Sequence, residues 1–162
     1  MVRIGLLSDT HGCYDPRFAQ HFAQCDEIWH AGDIGTPEVA DRLEEIGRLR
    51  AVFGNIDDRV LRRRFPETLR FRCEETEVLI KHIGGYPGAY DRSVIGMLRQ
   101  NPPHLFISGH SHILKILRDP SLGLLHINPG AAGRHGWHAV RTLVRFSIDG
   151  AKIKDVEIIE LA

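Results

Sequence analysis

Cysteine is scarce in this sequence: Cys13, Cys25 and Cys73 lie far apart and form no Cys-x-x-Cys pair. An odd number at wide spacing argues against a disulfide framework or a zinc ribbon, and for a reducing compartment. Net charge is missing too, since Lys+Arg and Asp+Glu both total 21. No long-range field therefore draws the chain to nucleic acid or to an anionic membrane, and a long nucleic acid is disfavoured as a partner. The sequence has no internal repeat, low-complexity tract or Pro/Ser-rich linker. The apolar run that follows Met1 stops at Asp9, far short of a signal peptide or a membrane span. The expectation is a cytoplasmic protein with a single domain over residues 1–162, a length that buries one sizeable core.

Histidine, by contrast, is plentiful at ten residues, which hints at metal chemistry. Hydrophobic patterning suggests where those histidines fall. Val2 to Ser8 reads as a strand buried on both faces. A helix is expected from about Pro16 to Gln24 and a short strand over Glu27 to His30. Thr36-Pro37-Glu38 marks a helix start, with Thr36 as N-cap and Pro37 in first position; that helix should stop at Gly47. Arg50 to Phe53 reads as a third strand. Alternation of strand and helix predicts a parallel sheet in the first half. The second half is richer in strands: a hairpin of Leu69–Cys73 and Val78–His82, then Leu105–Ser108, Ile113–Leu117, Leu124–Ile127, Val140–Ile148 and Lys152–Ile159. One helix, about Arg92 to Arg99, interrupts them.

Metal-capable side chains recur at the ends of these strands. Asp9 and His11 follow the first strand, Asp33 the second and Asn55 the third; His82 ends the hairpin, and His110 and His112 follow Leu105–Ser108. In α/β sheets, ligands bind beyond the carboxyl ends of strands, where loops converge. Taken singly, each residue has a plainer reading: Asp or Asn beside Gly forms turns, and an isolated His is commonly a satisfied core or surface group. Recurrence in order along the chain, with Gly12, Gly32, Gly54 and Gly109 alongside, is the signal.

In Asp9-x-His11, Gly32-Asp33, Gly54-Asn55-x-Asp57, His82, Gly109-His110-x-His112 and Asn128-Pro129-Gly130, the sequence resembles the calcineurin-like metallophosphoesterases, in particular the small YfcE-type phosphodiesterases. The resemblance covers nearly the whole chain. It implies an α/β four-layer sandwich of two mixed sheets flanked by helices. It also implies two divalent metals, one on Asp9, His11 and His112 and one on Asn55, His82 and His110, with Asp33 bridging. Asp33, Asn55 and His110 are then the residues expected closest to the chemistry. Nitrogen and oxygen donors together suit manganese first, with Fe, Zn, Co or Ni as alternatives, better than calcium. A hydroxide bridging the metals would attack phosphorus in a small or activated phosphate ester. The resemblance leaves self-association open. It also includes a eukaryotic retromer scaffold with a degraded metal site, so a binding protein of the same fold is the alternative, as is a cyclic-nucleotide phosphodiesterase.

Two positions depart from the family pattern. Many monoesterases carry a leaving-group His directly after the metal-binding Asn, where this chain has Ile56, which points to diesters or good leaving groups. A second His near His82 is also missing; Gly84-Gly85-Tyr86-Pro87 stands there, so Tyr86 or Tyr90 is a candidate substrate contact, or the segment is a plain surface loop. Arg134 and His135 are candidate substrate contacts, and His135 or His138 a candidate acid, though each singly also reads as an exposed loop residue. Asp57 either orients a neighbour or caps a turn. His30 reads as a supporting or core residue, and Arg62, Arg63 and Arg64 as a solvated helix face.

Overall fold

The computed structural model describes residues 1–162. Its elements are β1 (Val2–Leu7), α1 (Pro16–Phe22), β2 (Glu27–His30), α2 (Pro37–Glu44), β3 (Arg48–Ala51), α3 (Arg59–Arg64), β4 (Thr68–Cys73), β5 (Thr76–Lys81), β6 (Gly85–Tyr86), β7 (Ala89–Tyr90), α4 (Arg92–Gln100), β8 (Leu105–Ile107), β9 (Lys115–Asp119), β10 (Leu124–Asn128), β11 (Arg141–Asp149) and β12 (Lys152–Leu161). They form two five-stranded sheets, β12-β11-β1-β2-β3 and β4-β5-β8-β10-β9, plus the small β6-β7 hairpin. Both large sheets are mixed. In the first, β1, β2 and β3 run parallel while β11 and β12 are antiparallel. In the second, β5, β8 and β10 run parallel, with antiparallel β4 and β9 at the edges.

Side-chain alternation explains why these strands stack as layers. Along β1 and β11, Ile4, Leu6, Val144, Phe146 and Ile148 point into the core between the sheets, and Val78, Ile80, Leu105, Ile107, Leu125 and Ile127 meet them from the second sheet. Leu7, Ile28 and Leu143 face the other way, onto Phe18 and Phe22 of α1, Val39 and Leu43 of α2 and Leu61 of α3. The far face of the second sheet places Leu79, Phe106 and Leu124 under Val94 and Leu98 of α4. The result is the expected helix–sheet–sheet–helix order. Trp29 is fully buried and sets its ring edge-on to Phe71 of the opposite sheet at 5.0 Å, while its indole N–H donates to Glu27 at 3.0 Å. No helix is long and apolar enough to cross a membrane.

Three local expectations shift, one being that the strand expected over Ile113–Leu117 runs instead over Lys115–Asp119. The third strand is Arg48–Ala51, two residues earlier than Arg50–Phe53, because parallel pairing sets Glu27 opposite Arg48 and His30 opposite Ala51. That register brings the third strand to an end level with the second and frees residues 52–55 to turn over the sheet. Thr36 does sit at the N-cap of α2 with Pro37 following, but its hydroxyl makes no capping bond. On the arginine run, Arg64 pairs with Asp41 and Glu44 of α2, so the run is partly neutralised.

His126 on β10 is fully buried, its Nδ1–H donating to the Phe106 carbonyl at 3.1 Å while Nε2 has no partner. Burial pushes its pKa down to about 4 from an ordinary 6.5, with the Phe106 contact opposing. The unfolded chain therefore takes up a proton below about pH 6.5 that the folded chain refuses until about pH 4. Its effect on stability is absent above that window and grows as pH falls through it. Urea unfolding at pH 7 and pH 5 should show a smaller loss of stability for His126→Leu than for the unsubstituted protein.

Candidate metal centre

Loops at one end of both sheets converge on a single cleft. The Ser8–Gly12 loop lies against the loop after β2 through Asp9 N–H to Gly32 O, His11 N–H to Asp33 O and Gly12 N–H to Ile34 O, at 3.0, 3.0 and 2.8 Å. On its other side, Ala132 and Gly133 donate to the carbonyls of Ser8 and Asp9. Held between two neighbours, this loop has no freedom to relax. Asp9, His11, Asp33, His110 and His112 all adopt left-handed backbone, with φ of 55, 47, 56, 72 and 62°. Such conformations cost residues other than glycine roughly 1 kcal/mol or more each, and they persist where the surroundings impose them, typically at functional sites.

Two trios of side chains result: Asp9, His11 and His112, and Asp33, His82 and His110, the ligand atoms within each lying within 4.8 Å of one another. Asn55 joins the second, its Oδ1 accepting from His110 Nδ1 at 3.0 Å. Asp9 is wholly buried. Its Oδ2 accepts from the Ser8 hydroxyl at 2.6 Å and the His110 N–H at 3.1 Å. That leaves Oδ1 bare, with Nε2 of His112, His11 and His82 at 3.2, 3.8 and 3.8 Å. Asp33 Oδ2 stands 3.1 Å from His82 Nε2 and 3.5 Å from His11 Nε2, so one carboxylate oxygen reaches both trios.

The atoms facing the centre fit a cation. Asp9 Oδ1, His11 Nε2 and His82 Nε2 are buried without hydrogen-bond partners, a state buried polar atoms rarely tolerate. The His82 case is the sharpest. Its Nδ1–H donates to the Ala31 carbonyl at 2.7 Å, so a neutral ring turns its Nε2 lone pair on the Asp33 carboxylate. Only a proton or a metal ion between them relieves that contact. Burial works against ionisation of Asp9, but the imidazoles of His11, His112 and His82 close beside it and the Ser8 hydroxyl prevail and hold its carboxyl far below the usual range. Burial likewise works against the charged form of His82, yet the adjacent Asp33 and Asp9 carboxylates raise its pKa overall.

A set of supporting residues fixes the loops. Asp57, 3% exposed, accepts from the N–H groups of Ile34, Gly35 and Gly54 at 3.1, 2.8 and 2.8 Å, tying the Asp33 loop to the Asn55 loop. Both of the roles considered for it hold at once. Asn128 Nδ2 donates to Gly109 O and Ser111 Oγ, each at 3.1 Å, and its Oδ1 accepts from Gly130 N–H; Asn-Pro-Gly thus props the His110–His112 loop. His30 is buried, accepting at Nδ1 from Gly32 N–H and donating from Nε2 to Thr10 Oγ1, which donates to Ile34 O. It supports the metal loops rather than reaching the cleft, and burial drives its pKa down.

Other candidates fall variously. His135 lines the cleft and stacks on His11 at a centroid distance of 4.7 Å. His138 lines it too, with Nε2–H donating to Gly133 O at 2.8 Å. Arg134 is exposed and is not among the lining residues. Tyr86 and Tyr90 turn away, Tyr86 under the Lys115 ammonium and Tyr90 donating to Asp119 at 2.7 Å. Ile56 lines the cleft, and its backbone N–H donates to Asp33 Oδ1 at 3.1 Å. Sequence reasoning missed Ser8, Thr10 and the prop made by Asn128. Ser8 and Thr10 flank Asp9 in the sequence, but the partners that give Thr10 and Asn128 their roles, Ile34 and His30 for the one and Gly109 and Ser111 for the other, lie far away in the chain.

Comparison with known proteins agrees with this geometry. The family model for the calcineurin-like phosphoesterase superfamily domain matches residues 2–151. A probable metallophosphoesterase of Methanocaldococcus jannaschii is 34% identical over 138 residues, 79% of this chain and 67% of that protein. Among solved structures, an archaeal phosphodiesterase aligns with a TM-score of 0.76 at 20% identity over 98% of this chain and 99% of its own. Vps29 of Chaetomium thermophilum aligns with a TM-score of 0.78 at 12% identity, covering 99% and 97%. At those identities the structural likeness establishes the fold.

Two substitutions test the site. A Cβ at Gly54 would overlap Asp33 Oδ1. Gly54→Ala should therefore weaken metal binding in calorimetric titration at least tenfold while far-UV circular dichroism stays native. Asp57→Ala strands three N–H groups and should lower the unfolding free energy by about 2 kcal/mol or more, read by urea denaturation.

Proposed function

The chain belongs to the calcineurin-like phosphoesterase superfamily, and from that membership we propose that it is a binuclear metal-dependent phosphodiesterase acting on a small or activated phosphate ester. The observation that carries this reading is Asp33, whose one oxygen lies within 3.5 Å of imidazole nitrogens from both trios. That is the placement a bridging ligand needs. Asp9, His11 and His112 would hold one ion, Asn55, His82 and His110 the other. Divalent ions in such a site supply Lewis acidity, polarising a phosphoryl oxygen and acidifying water near neutral pH. Imidazole, carboxylate and amide donors favour manganese, with Fe, Zn, Co and Ni as alternatives.

The protein's own groups set the rest. The Ser8 hydroxyl and the His110 N–H fix Asp9 Oδ2 so that Oδ1 faces the centre. The Ala31 carbonyl and Asn55 orient the rings of His82 and His110. His135, which lines the cleft, would contact a bound ester. No Lys or Arg lines the cleft, and Arg62 and Lys81 of the adjoining hollow over Asn55 and His82 are already engaged by protein oxygens, so the second negative charge of a monoester meets no uncommitted side-chain cation, whereas the single charge of a diester needs none. Ile56 offers no proton to a leaving group, which again favours esters whose leaving group departs as an anion. Three free cysteines suit a reducing, cytoplasmic setting.

Chelated protein should show negligible turnover of bis(p-nitrophenyl) phosphate and regain it on adding Mn. Asp33→Ala should reduce the restored rate by more than roughly a hundredfold, as the loss of several kcal/mol of transition-state stabilisation requires. Turnover indifferent to chelation, or none with any of the five metals, would contradict the proposal.

A further inference from the structure

The cleft is larger than a phosphate group needs. Its volume is about 500 Å³, within the roughly 300–1,000 Å³ of sites that hold small organic molecules. Its floor is polar, and only three of its twelve lining residues are hydrophobic: Ile56, Ile113 and Trp137. All three are exposed, at 46, 58 and 104%. Exposed apolar residues also occur singly elsewhere, as Val60 and Met97 do, and such scatter needs no explanation. Three around one polar cleft, one of them a tryptophan bared to the full extent of its side chain, do need one.

The presentation of Trp137 is built into the loop. On one side of it His135 stacks on His11, and on the other His138 is pinned to the Gly133 carbonyl with its ring edge-on to His112 at 5.1 Å. Between them Gly136, at φ 128°, runs so close to His112 that a Cβ would overlap the imidazole. The loop is thus anchored on both flanks by rings packed against the metal ligands, and the indole between those anchors projects free. An indole face held beside a phosphate site is a stacking platform, and stacking accepts any flat aromatic group because each has a π-face.

We propose that Trp137, with Ile56 and Ile113, forms a subsite for a planar aromatic group carried on one arm of the phosphodiester, either a simple aryl ring or a nucleobase. The inference rests on the diesterase reading above for what occupies the floor of the cleft. It adds which diesters the enzyme prefers, and it assigns that preference to side chains that touch neither metal position.

The test separates the two. The chain has two tryptophans, and Trp29 is fully buried, so acrylamide quenching of fluorescence reports on Trp137. With metal-loaded protein, phenyl phosphate and thymidine 5′-monophosphate should each protect Trp137 from quenching at least twofold, and methyl phosphate should not. In kinetics, dimethyl phosphate, methyl phenyl phosphate and methyl thymidin-5′-yl phosphate, which differ in one arm only, compete with bis(p-nitrophenyl) phosphate. The two with an aromatic arm should have inhibition constants roughly tenfold below that of dimethyl phosphate, the ratio that about 1.4 kcal/mol of stacking gives. Trp137→Ala should collapse that ratio toward one, and Trp137→Phe should keep most of it. Equal gains for phenyl and thymidinyl identify a simple aryl site, and a larger gain for thymidinyl a nucleobase site. An unchanged ratio in Trp137→Ala, or quenching indifferent to the aromatic phosphates, overturns the subsite while metal-dependent turnover leaves the diesterase reading standing. If no diester is turned over, that reading fails, and the quenching comparison still decides whether Trp137 binds a flat ring.

Discussion

Two carboxylates, Asp9 and Asp33, are held almost entirely out of water at 0 and 2% exposure, and imidazole nitrogens without hydrogen-bond partners face them. Burying charge this way is costly unless a counter-charge meets it. The contact between His82 Nε2 and Asp33 makes the demand specific, because the Ala31 carbonyl has already claimed the other ring nitrogen. A cation at this place turns an unfavourable cluster into a bound site. The remaining features of the cleft keep that cluster from relaxing.

Relaxation is blocked first by the backbone. Left-handed conformations at Asp9, His11, Asp33, His110 and His112 would be given up if the loops were free. Hydrogen bonds from neighbouring loops prevent this, and they come from opposite sheets: the Asp33 loop from the first, the Asn128 prop from the second. Asp57 then ties the loops after β2 and β3 through a single carboxylate. The sandwich core, with Trp29 against Phe71, keeps those sheets in register. Strain in the loops and packing between the sheets are thus two parts of one device, in which rigid layers hold side chains where water and each other would drive them apart.

Much of this was legible in the sequence. Alternating apolar residues gave the strands, and the order of Asp, Asn and His at their ends gave the side chains that the structure gathers into the two trios, because both depend on neighbours one or two positions away. Layer order followed from the family resemblance, since nothing in a local pattern says which sheet face meets which. Other features depend on partners remote in the chain. The third strand begins at Arg48 because Glu27 sets its register. Asp57 acts on residues more than twenty positions earlier, and Tyr90 turns from the cleft because Asp119 offers its hydroxyl an acceptor. The exposure of Trp137 is equally hidden, as an indole in a glycine-rich loop reads the same whether it packs or projects.

The central claim is that these side chains surround two metal positions with Asp33 between them. Anomalous diffraction from crystals grown with manganese tests it most directly. The account predicts two peaks, one among Asp9, His11 and His112, the other among Asn55, His82 and His110, with an Asp33 oxygen bound to both. A single peak not touching Asp33, or none at saturating manganese, would contradict it.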